Sequence, residues 1–282
     1  IPVAILCGKD YYFSVGEMTK AQNSDSNMNL IVFLADTVRA DKCSAFGYSK
    51  KTTPILSELI NDRTTIFTNA TAQASNTIPS VKALFTSRPA SEKGLVNFSK
   101  PLTKNMETVA NLFLKAGFNT ACFSANELIR GGGFENGFQK VMSWSGLVAA
   151  FRSVAITNLL CQKDITKILE LSRNLRSHYP EGEVLINQAN QWIDKNREKP
   201  FFAYIHTFDP HWPYYDHGMG MMPKEVKHYD DLIYLDILDH SVESEQEAEC
   251  FIREPRFKNL KGRYEEEIRY TDQLIGELIS FL

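Results

Sequence analysis

Three short segments carry residue types that could together perform nucleophilic chemistry on an ester. Asp36 follows the apolar run 29–35, Thr77 lies where a loop turns into a predicted helix, and His206 and His211 lie at the end of the apolar run 201–207 and just after it. Carboxylate oxygen is a hard ligand for divalent cations, and a hydroxyl can act as a nucleophile when something activates it. These residue types predict a metal-assisted site, provided that the fold brings them together.

Asp36 is the first of these residues in the chain. The run Leu30–Ala35 is apolar throughout, which is typical of a strand buried on both faces. A carboxylate at the tip of such a strand is costly unless something positive faces it, and a divalent cation would meet that need. The other two roles that fit the sequence are a cap for the next turn and an ion pair with Arg39.

Thr77 belongs to a segment, 75–85, that favours a loop leading into a helix. Asn76 or Thr77 is predicted near the N-cap, with Pro79 in the first turn. A hydroxyl there faces free backbone N–H groups and the positive end of the helix, which favours an alkoxide and then an anionic ester on its oxygen. Capping of the helix is the alternative role for the same side chain.

The third segment is a loop that holds two histidines, His206 and His211. Pro210 and Pro213 stiffen this loop, so that the ring of His211 is held in place by its surroundings. His211 is therefore the stronger functional candidate. His206 fits equally well as a histidine at a strand end whose hydrogen bonds are satisfied within the core.

The elements that must position these residues alternate between strands and helices. Buried strands are predicted at 29–35, 119–125 and 201–207, and helices at 52–61, 107–116, 184–195 and 264–282. This alternation predicts an α/β fold with a mostly parallel central sheet sandwiched by helices. Ligands of such sheets bind beyond the carboxyl ends of the strands, so the three segments are predicted to share one rim.

Composition excludes several classes of protein. The chain has 282 residues, 43% of them hydrophobic and 23% charged, which excludes a disordered tail or a small disulfide scaffold. A net charge of −3 gives no support to nucleic-acid binding. None of the 5 cysteines stands in a CxxC pair, which excludes a zinc knuckle and a thioredoxin motif, and Cys122 is predicted to be a buried thiol.

Seven segments carry a family resemblance, and they follow one another in the family's order. They read IVFLADTVRADKCSAFGY, TTPILSEL, FTNATAQASNTIPSVKALFTSRPA, LFLKAGFNTACFSAN, GGFENGFQKV, QANQWIDKNREKPFFAYIHTFDPHWPY and RYEEEIRYTDQLIGELISFL. Together they resemble the sulfatase family of the alkaline phosphatase superfamily over residues 29–145 and 183–282. Each segment alone is a weak signal, but the ordered set is specific.

This resemblance assigns roles to individual residues. It implies that Asp36 is a metal-binding acid, that Thr77 is the nucleophile and a ligand of the same metal, and that His211 contacts the anionic oxygens of the ester. His206 and Lys82 are further candidates for substrate binding. The resemblance also implies one divalent metal ion (Ca, Mg, Mn or Zn), attack by Thr77, and a covalent Thr77 ester that is released to water or to an acceptor alcohol.

The sequence departs from the family pattern at three points. Sulfatases of this family carry Cys or Ser, matured to formylglycine, where this chain has Thr77. A threonine nucleophile is more similar to the phosphoryl-transfer branch, which includes phosphoethanolamine and phosphoglycerol transferases. The family has an arginine four residues after the nucleophile, where this chain has Val81. Lys82 could take its place, but one helix step of about 100° points its side chain in a different direction from that of residue 81. The family's second metal half-site, an Asp-His-Gly stretch, is expected after Leu282.

The domain prediction follows from the same resemblance. Residues 1–28 are predicted to be an N-terminal extension or linker, and 29–282 the N-terminal portion of a sulfatase-like catalytic domain with a helical insertion at 146–182. The chain starts at Ile1 rather than Met, so a processed or trimmed piece is expected. The apolar opening 1–7 predicts either the remnant of a removed anchor or signal, or a short packed strand.

The expected function is metal-dependent hydrolysis of a sulfate or phosphate ester, carried by a small molecule, a lipid or a glycan. One alternative is a cell-envelope transferase of the phosphoethanolamine or phosphoglycerol type, with an extracytoplasmic location and a membrane tether upstream of Ile1. A second alternative, from another class, is a non-catalytic binding relative or a fragment that lacks a complete metal site.

Overall fold

The strands that the structure describes form a parallel sheet. The computed structural model describes residues 29–60, 64–91, 102, 106–126, 133–143, 182–211, 214, 217–218, 220 and 255–282, and the backbone of 3–7. The described strands are β1 (Val3–Cys7), β2 (Leu30–Ala35), β3 (Asn119–Ser124), β4 (Lys140–Ser143) and β5 (Phe201–Thr207). They pair in the order β1-β2-β5-β3-β4, with every neighbouring pair parallel.

This sheet confirms the predicted fold class. The three predicted strands correspond to β2, β3 and β5, each within one residue of its predicted bounds. Residues 3–7 form β1, the short-strand alternative for the opening segment. Strand β4 was not predicted, because it has only 4 residues and its sequence carries no long apolar run; among the described strands it pairs with β3.

Helices cover the sheet on both faces. They are α1 (Pro54–Leu59), α2 (Thr77–Thr86), α3 (Val109–Lys115), α4 (Gly182–Lys195) and α5 (Pro255–Phe281). Helix α5 begins at Pro255 rather than at the predicted Tyr264, with proline in the first turn, where its missing N–H costs no hydrogen bond. Of the helical insertion predicted at 146–182, residues 146–181 lie outside the described residues.

Alternation along the strands divides the core into two layers. In β2, Ile31 and Phe33 point towards α4 and α5, whereas Val32 points towards α2 and α3. Cys122 lies in the second layer with no exposed surface, as predicted, and burial raises the pKa of its thiol. Among the described helices, none combines the length and the apolar composition that crossing a membrane requires.

A glycine turn joins β3 to β4 and packs against the start of α3. Gly137 has a φ of +92°, and a Cβ on it would lie 2.3 Å from the backbone nitrogen of Asn111. The hydroxyl of Thr108, which caps α3, donates to the carbonyl of Asn136 at 2.9 Å. Thr120 of β3 donates to the carbonyl of Gly137 at 2.8 Å. These hydrogen bonds, from threonine hydroxyls to backbone carbonyls of the turn, hold α3 against the sheet.

Candidate active site at the carboxyl ends of the strands

Asp36 lies at the centre of a cluster at the carboxyl end of β2. Its backbone N–H donates to the carbonyl of Thr207 at 3.2 Å, and the residue is only 9% exposed. The Oδ2 atom of Asp36 accepts from Thr77 Oγ1 at 3.4 Å and from Asn126 Nδ2 at 3.2 Å, and it lies 3.3 Å from His206 Nε2. One carboxylate oxygen thus joins side chains from α2 and from the ends of β3 and β5.

The surroundings of Asp36 keep its carboxyl group ionised. Burial raises the pKa of Asp36, but the hydrogen bond and charge of His206, the charge of His211 and the Asn126 amide together outweigh burial and lower that pKa. A carboxylate with a lowered pKa is a weak proton acceptor at neutral pH. Asp36 is therefore suited to hold a cation or a hydroxyl in place rather than to act as a general base.

Thr77 is the first residue of α2, and its hydroxyl points to the cluster. The N-cap position is Asn76, whose side chain makes no capping hydrogen bond, and Thr77 Oγ1 donates to Asp36 instead. The structure therefore does not show the capping role that was the alternative for Thr77. This hydroxyl lies at the N-terminus of α2, and the positive end of the helix dipole favours negative charge there.

The structure places His206 in β5 and His211 in the loop that follows it, and the two rings lie in different surroundings. His206 has no exposed surface, and its Nδ1 lies 3.3 Å from the hydroxyl of Tyr204. His211 stacks on Phe208 with ring centroids 4.2 Å apart, and its charge contributes to the lowered pKa of Asp36. The structure therefore brings Asp36, Thr77 and His206 into direct contact and places His211 within electrostatic reach of them.

Lys82 occupies a position inside α2. Its side chain is fully buried, and burial lowers the pKa of its ammonium group. Contact with a substrate stays a prediction for Lys82.

Asn126 is a member of the cluster that the sequence analysis did not select. It follows β3, whose last residue Ser124 pairs in register with His206, so β3 ends beside β5. The hydroxyl of Ser124 accepts from the backbone N–H of Asn126 at 3.1 Å and holds the turn. The sequence could have indicated Asn126, because ligands of a parallel sheet bind beyond the carboxyl ends of its strands, and Asn126 follows a buried strand as Asp36 does.

The turn after Asp36 is strained and tied down on two sides. Thr37 has a φ of +58°, which costs a β-branched residue about 1–3 kcal/mol. Its hydroxyl donates to the carbonyl of Pro210 at 2.7 Å, and its carbonyl accepts from Tyr264 at 2.7 Å. Thr37 thus links the Asp36 turn to the loop of His211 and to α5.

Arg39, in the same turn, has a different partner from the one considered for it. Its Nε donates to Asp41 Oδ1 at 2.9 Å, so the alternative in which Asp36 pairs with Arg39 is wrong.

The donor set around Asp36 fits one side of a divalent cation's shell. The carboxylate of Asp36 and the hydroxyl of Thr77 are hard oxygen donors, and the imidazole of His206 adds a borderline one. Within the part of the chain that the structure describes, no three His, Cys, Asp or Glu side chains group closely enough to hold a metal by themselves. The described residues therefore supply some, but not all, of the ligands that a divalent cation needs.

Comparison with known proteins identifies the family and the fold. A family model described as Sulfatase matches residues 28–282, and a search of curated proteins gave no match. Three solved structures are similar to the chain in fold. The first is the C-terminal periplasmic domain of EcEptC from Escherichia coli in complex with Zn, at 14% identity and a TM-score of 0.56, over 92% of this chain and 61% of that one.

The other two structures come from different bacteria. The soluble domain of lipooligosaccharide phosphoethanolamine transferase A from Neisseria meningitidis has 16% identity and a TM-score of 0.59, over 100% of this chain and 68% of that one. The phosphonate monoester hydrolase of Agrobacterium radiobacter has 15% identity and a TM-score of 0.57, over 90% and 59%. These similarities confirm an alkaline-phosphatase-like fold, and the chain spans about three fifths of the EcEptC domain and of the hydrolase.

Proposed function

The chain belongs to the sulfatase family, and from that premise we propose that it cleaves or transfers a sulfate or phosphate ester with Thr77 as the nucleophile. One observation carries the proposal. The hydroxyl of Thr77, at the positive end of α2, donates to the ionised carboxylate of Asp36 at 3.4 Å. This contact joins a potential nucleophile to a potential metal ligand at the rim where ligands of parallel sheets bind.

The proposed reaction has two steps, formation of a covalent Thr77 ester and its release. In the first, Thr77 Oγ1 forms a bond to sulfur or phosphorus, the bond to the leaving alcohol breaks, and the alcohol departs with the proton that Thr77 loses. In the second, water or an acceptor alcohol attacks the covalent Thr77 ester and gives its proton back to Oγ1. The N-terminus of α2 and His211 stabilise the charge that develops on the anionic oxygens.

Asp36 and Thr77 would hold the divalent cation, with His206 beside them. When bound, such a cation supplies Lewis acidity that lowers the pKa of a coordinated hydroxyl. We propose Ca, Mg, Mn or Zn, and the EcEptC domain, solved in complex with Zn, makes Zn the first metal to test.

Replacement of Asp36 by asparagine is expected to weaken Zn²⁺ and Mn²⁺ binding at least tenfold, because the charged oxygen donor is lost. Calorimetric titration with each metal measures the change. The matched control is Asp41→Asn, which removes an exposed carboxylate that pairs with Arg39 in the same turn and should leave metal affinity unchanged. Equal affinity in Asp36→Asn and the wild type would reject the ligand role.

A transferase is the second candidate, and the threonine at the nucleophile position favours it. Thr77 cannot be matured to formylglycine, which supports phosphate rather than sulfate chemistry. The Neisseria lipooligosaccharide phosphoethanolamine transferase A is an integral membrane protein, and the EcEptC domain is periplasmic. We therefore propose an extracytoplasmic location, a lipid or glycan substrate, and a tether upstream of Ile1.

A screen of sulfate and phosphate monoesters and diesters, with and without an acceptor alcohol, separates the candidates. Release to water alone supports a hydrolase, and capture by the alcohol supports a transferase. Mass analysis of the trapped Thr77 peptide identifies the transferred group. Binding of esters without any cleavage would support the non-catalytic alternative.

A further inference from the structure

The turn that follows Asp36 is held by a tyrosine of α5. The hydroxyl of Tyr264 donates to the carbonyl of Thr37 at 2.7 Å and accepts from the backbone N–H of Arg39 at 2.8 Å. A phenol can donate and accept at the same time, so one oxygen atom bridges two peptide groups of the turn. Tyr264 is only 8% exposed, so its ring is packed on nearly all sides. The turn is therefore attached to a residue whose own position is fixed.

This bridge acts on a backbone conformation that is costly by itself. Thr37 has a φ of +58°, and a β-branched residue keeps such a conformation only where the surrounding structure holds it. The carbonyl of Thr37 is held by Tyr264, and its hydroxyl is held by the carbonyl of Pro210 at 2.7 Å. A return of Thr37 to a negative φ would rotate Asp36 relative to the part of the turn that α5 holds. The hydrogen bond at the Thr37 carbonyl therefore bears on the direction of the Asp36 side chain.

We propose that Tyr264 is a positioning residue of the candidate metal site: its hydroxyl keeps the turn after β2 in the conformation that directs Asp36 towards Thr77. The contact between Asp36 Oδ2 and Thr77 Oγ1 is already long, at 3.4 Å, so a shift of a few tenths of an ångström would separate the two oxygen donors. The inference rests on the proposed role of Asp36 as a metal ligand. Tyr264 acts through the turn and contacts neither the metal nor the ester.

Other contacts fix α5, so the Tyr264 hydroxyl can be removed without displacing the helix. Asp272 of α5 accepts from the backbone N–H groups of Ile55 and Leu56, each at 2.9 Å. The ring of Tyr264 packs against that of Tyr214 with centroids 5.3 Å apart, and a phenylalanine would keep this contact. Tyr264→Phe therefore removes the two hydrogen bonds to the turn and little else.

Amide hydrogen exchange, followed by NMR in the metal-free protein, measures the hold on the turn directly. In Tyr264→Phe the amide of Arg39 loses its acceptor and should exchange at least tenfold faster than in the wild type. The matched control is Tyr48→Phe, because the Tyr48 hydroxyl also binds α5, at Glu265, but lies outside the turn. The control should leave the exchange rate of Arg39 unchanged. An unchanged rate in Tyr264→Phe, or the same acceleration in both variants, would overturn the inference.

Calorimetric titration of the complete protein with Zn²⁺ and Mn²⁺ tests the consequence at the site. Tyr264→Phe is expected to lower the affinity for both metals about tenfold, the lower end of the usual loss when a group that orients a ligand is removed. Tyr48→Phe should not change it. In the Asp36→Asn background, Tyr264→Phe should cause no further loss, because no charged carboxylate is left to direct. In the Thr37→Asn background the loss should be smaller, because asparagine adopts a positive φ at a lower cost.

The outcomes separate this inference from the proposed function. Wild-type metal affinity in Tyr264→Phe, or a full further loss on top of Asp36→Asn, would overturn the positioning role. Loss of the cooperative thermal melt in Tyr264→Phe would also overturn it, because Tyr264 would then support the whole fold rather than the turn. If Asp36→Asn binds both metals as the wild type does, the ligand role is rejected and the positioning role with it, whereas faster exchange of Arg39 in Tyr264→Phe would still establish the hold on the turn.

Discussion

Replacement of Thr77 by alanine is expected to abolish ester cleavage by the complete protein, with a loss of roughly 10⁴-fold or more, the scale seen when a nucleophile is removed. The reason is that the covalent ester has no oxygen on which to form. The fold should survive, because the hydrogen bond lost is a single long one, 3.4 Å from Asp36, at the exposed end of α2. Such a bond contributes about 1 kcal/mol to stability.

The measurement is turnover of p-nitrophenyl phosphate and sulfate with excess divalent metal, beside a thermal melt of each variant. Thr77→Ser is the matched control, because it keeps the hydroxyl at the N-terminus of α2 and should keep turnover within about tenfold of the wild type. Turnover in Thr77→Ala that equals the wild type, or a serine variant as inactive as the alanine one, would remove this hydroxyl from the reaction.

Gly137→Ala should give the largest loss of stability, about 2–5 kcal/mol in the free energy of unfolding. A φ of +92° costs a residue with a Cβ about 1–2 kcal/mol. The added Cβ would also lie 2.3 Å from the nitrogen of Asn111 and 2.5 Å from the carbonyl carbon of Ala110, both backbone atoms of α3 that cannot yield alone. Overpacking of this kind adds about 1–3 kcal/mol.

Gly117→Ala is the matched control for that experiment. Gly117 has nearly the same φ, +88°, but a Cβ on it would meet nothing within 4 Å. It should lose only the conformational part, about 1–2 kcal/mol. Urea unfolding of both variants gives the two free energies. Equal losses of unfolding free energy in the two variants would show that a Cβ at position 137 does not clash with the backbone of α3.

Much of the fold could be predicted because its strands are long apolar runs. β2, β3 and β5 are buried on both faces, and such strands are visible in the sequence without any knowledge of their neighbours. β4 could not be predicted, because a 4-residue strand that begins with Lys140 has no sequence pattern that distinguishes it from a loop. The start of α5 was missed because its first turns mix charged and apolar residues.

The sequence pointed to three of the residues that meet at the candidate site, but not to the residues that support them. Asp36, Thr77 and His206 were selected as reactive residue types at strand and helix ends. Asn126 was passed over because a neutral amide neither titrates nor attacks, and its value depends on the oxygen it faces. Tyr204 belongs to a buried apolar run, and only the positions of the rings show its hydroxyl against His206.

The order of the strands has a consequence for how the protein is made. β5 is the last of the five described strands to leave the ribosome, yet it lies in the middle of the sheet, between β2 and β3. Until residue 207 has emerged, those two strands have no partner for their inner edges, and exposed apolar edges of this kind promote association between chains. Until β5 has been made, these two edges stay unpaired, and Asp36 lacks its contacts to Thr207 and His206.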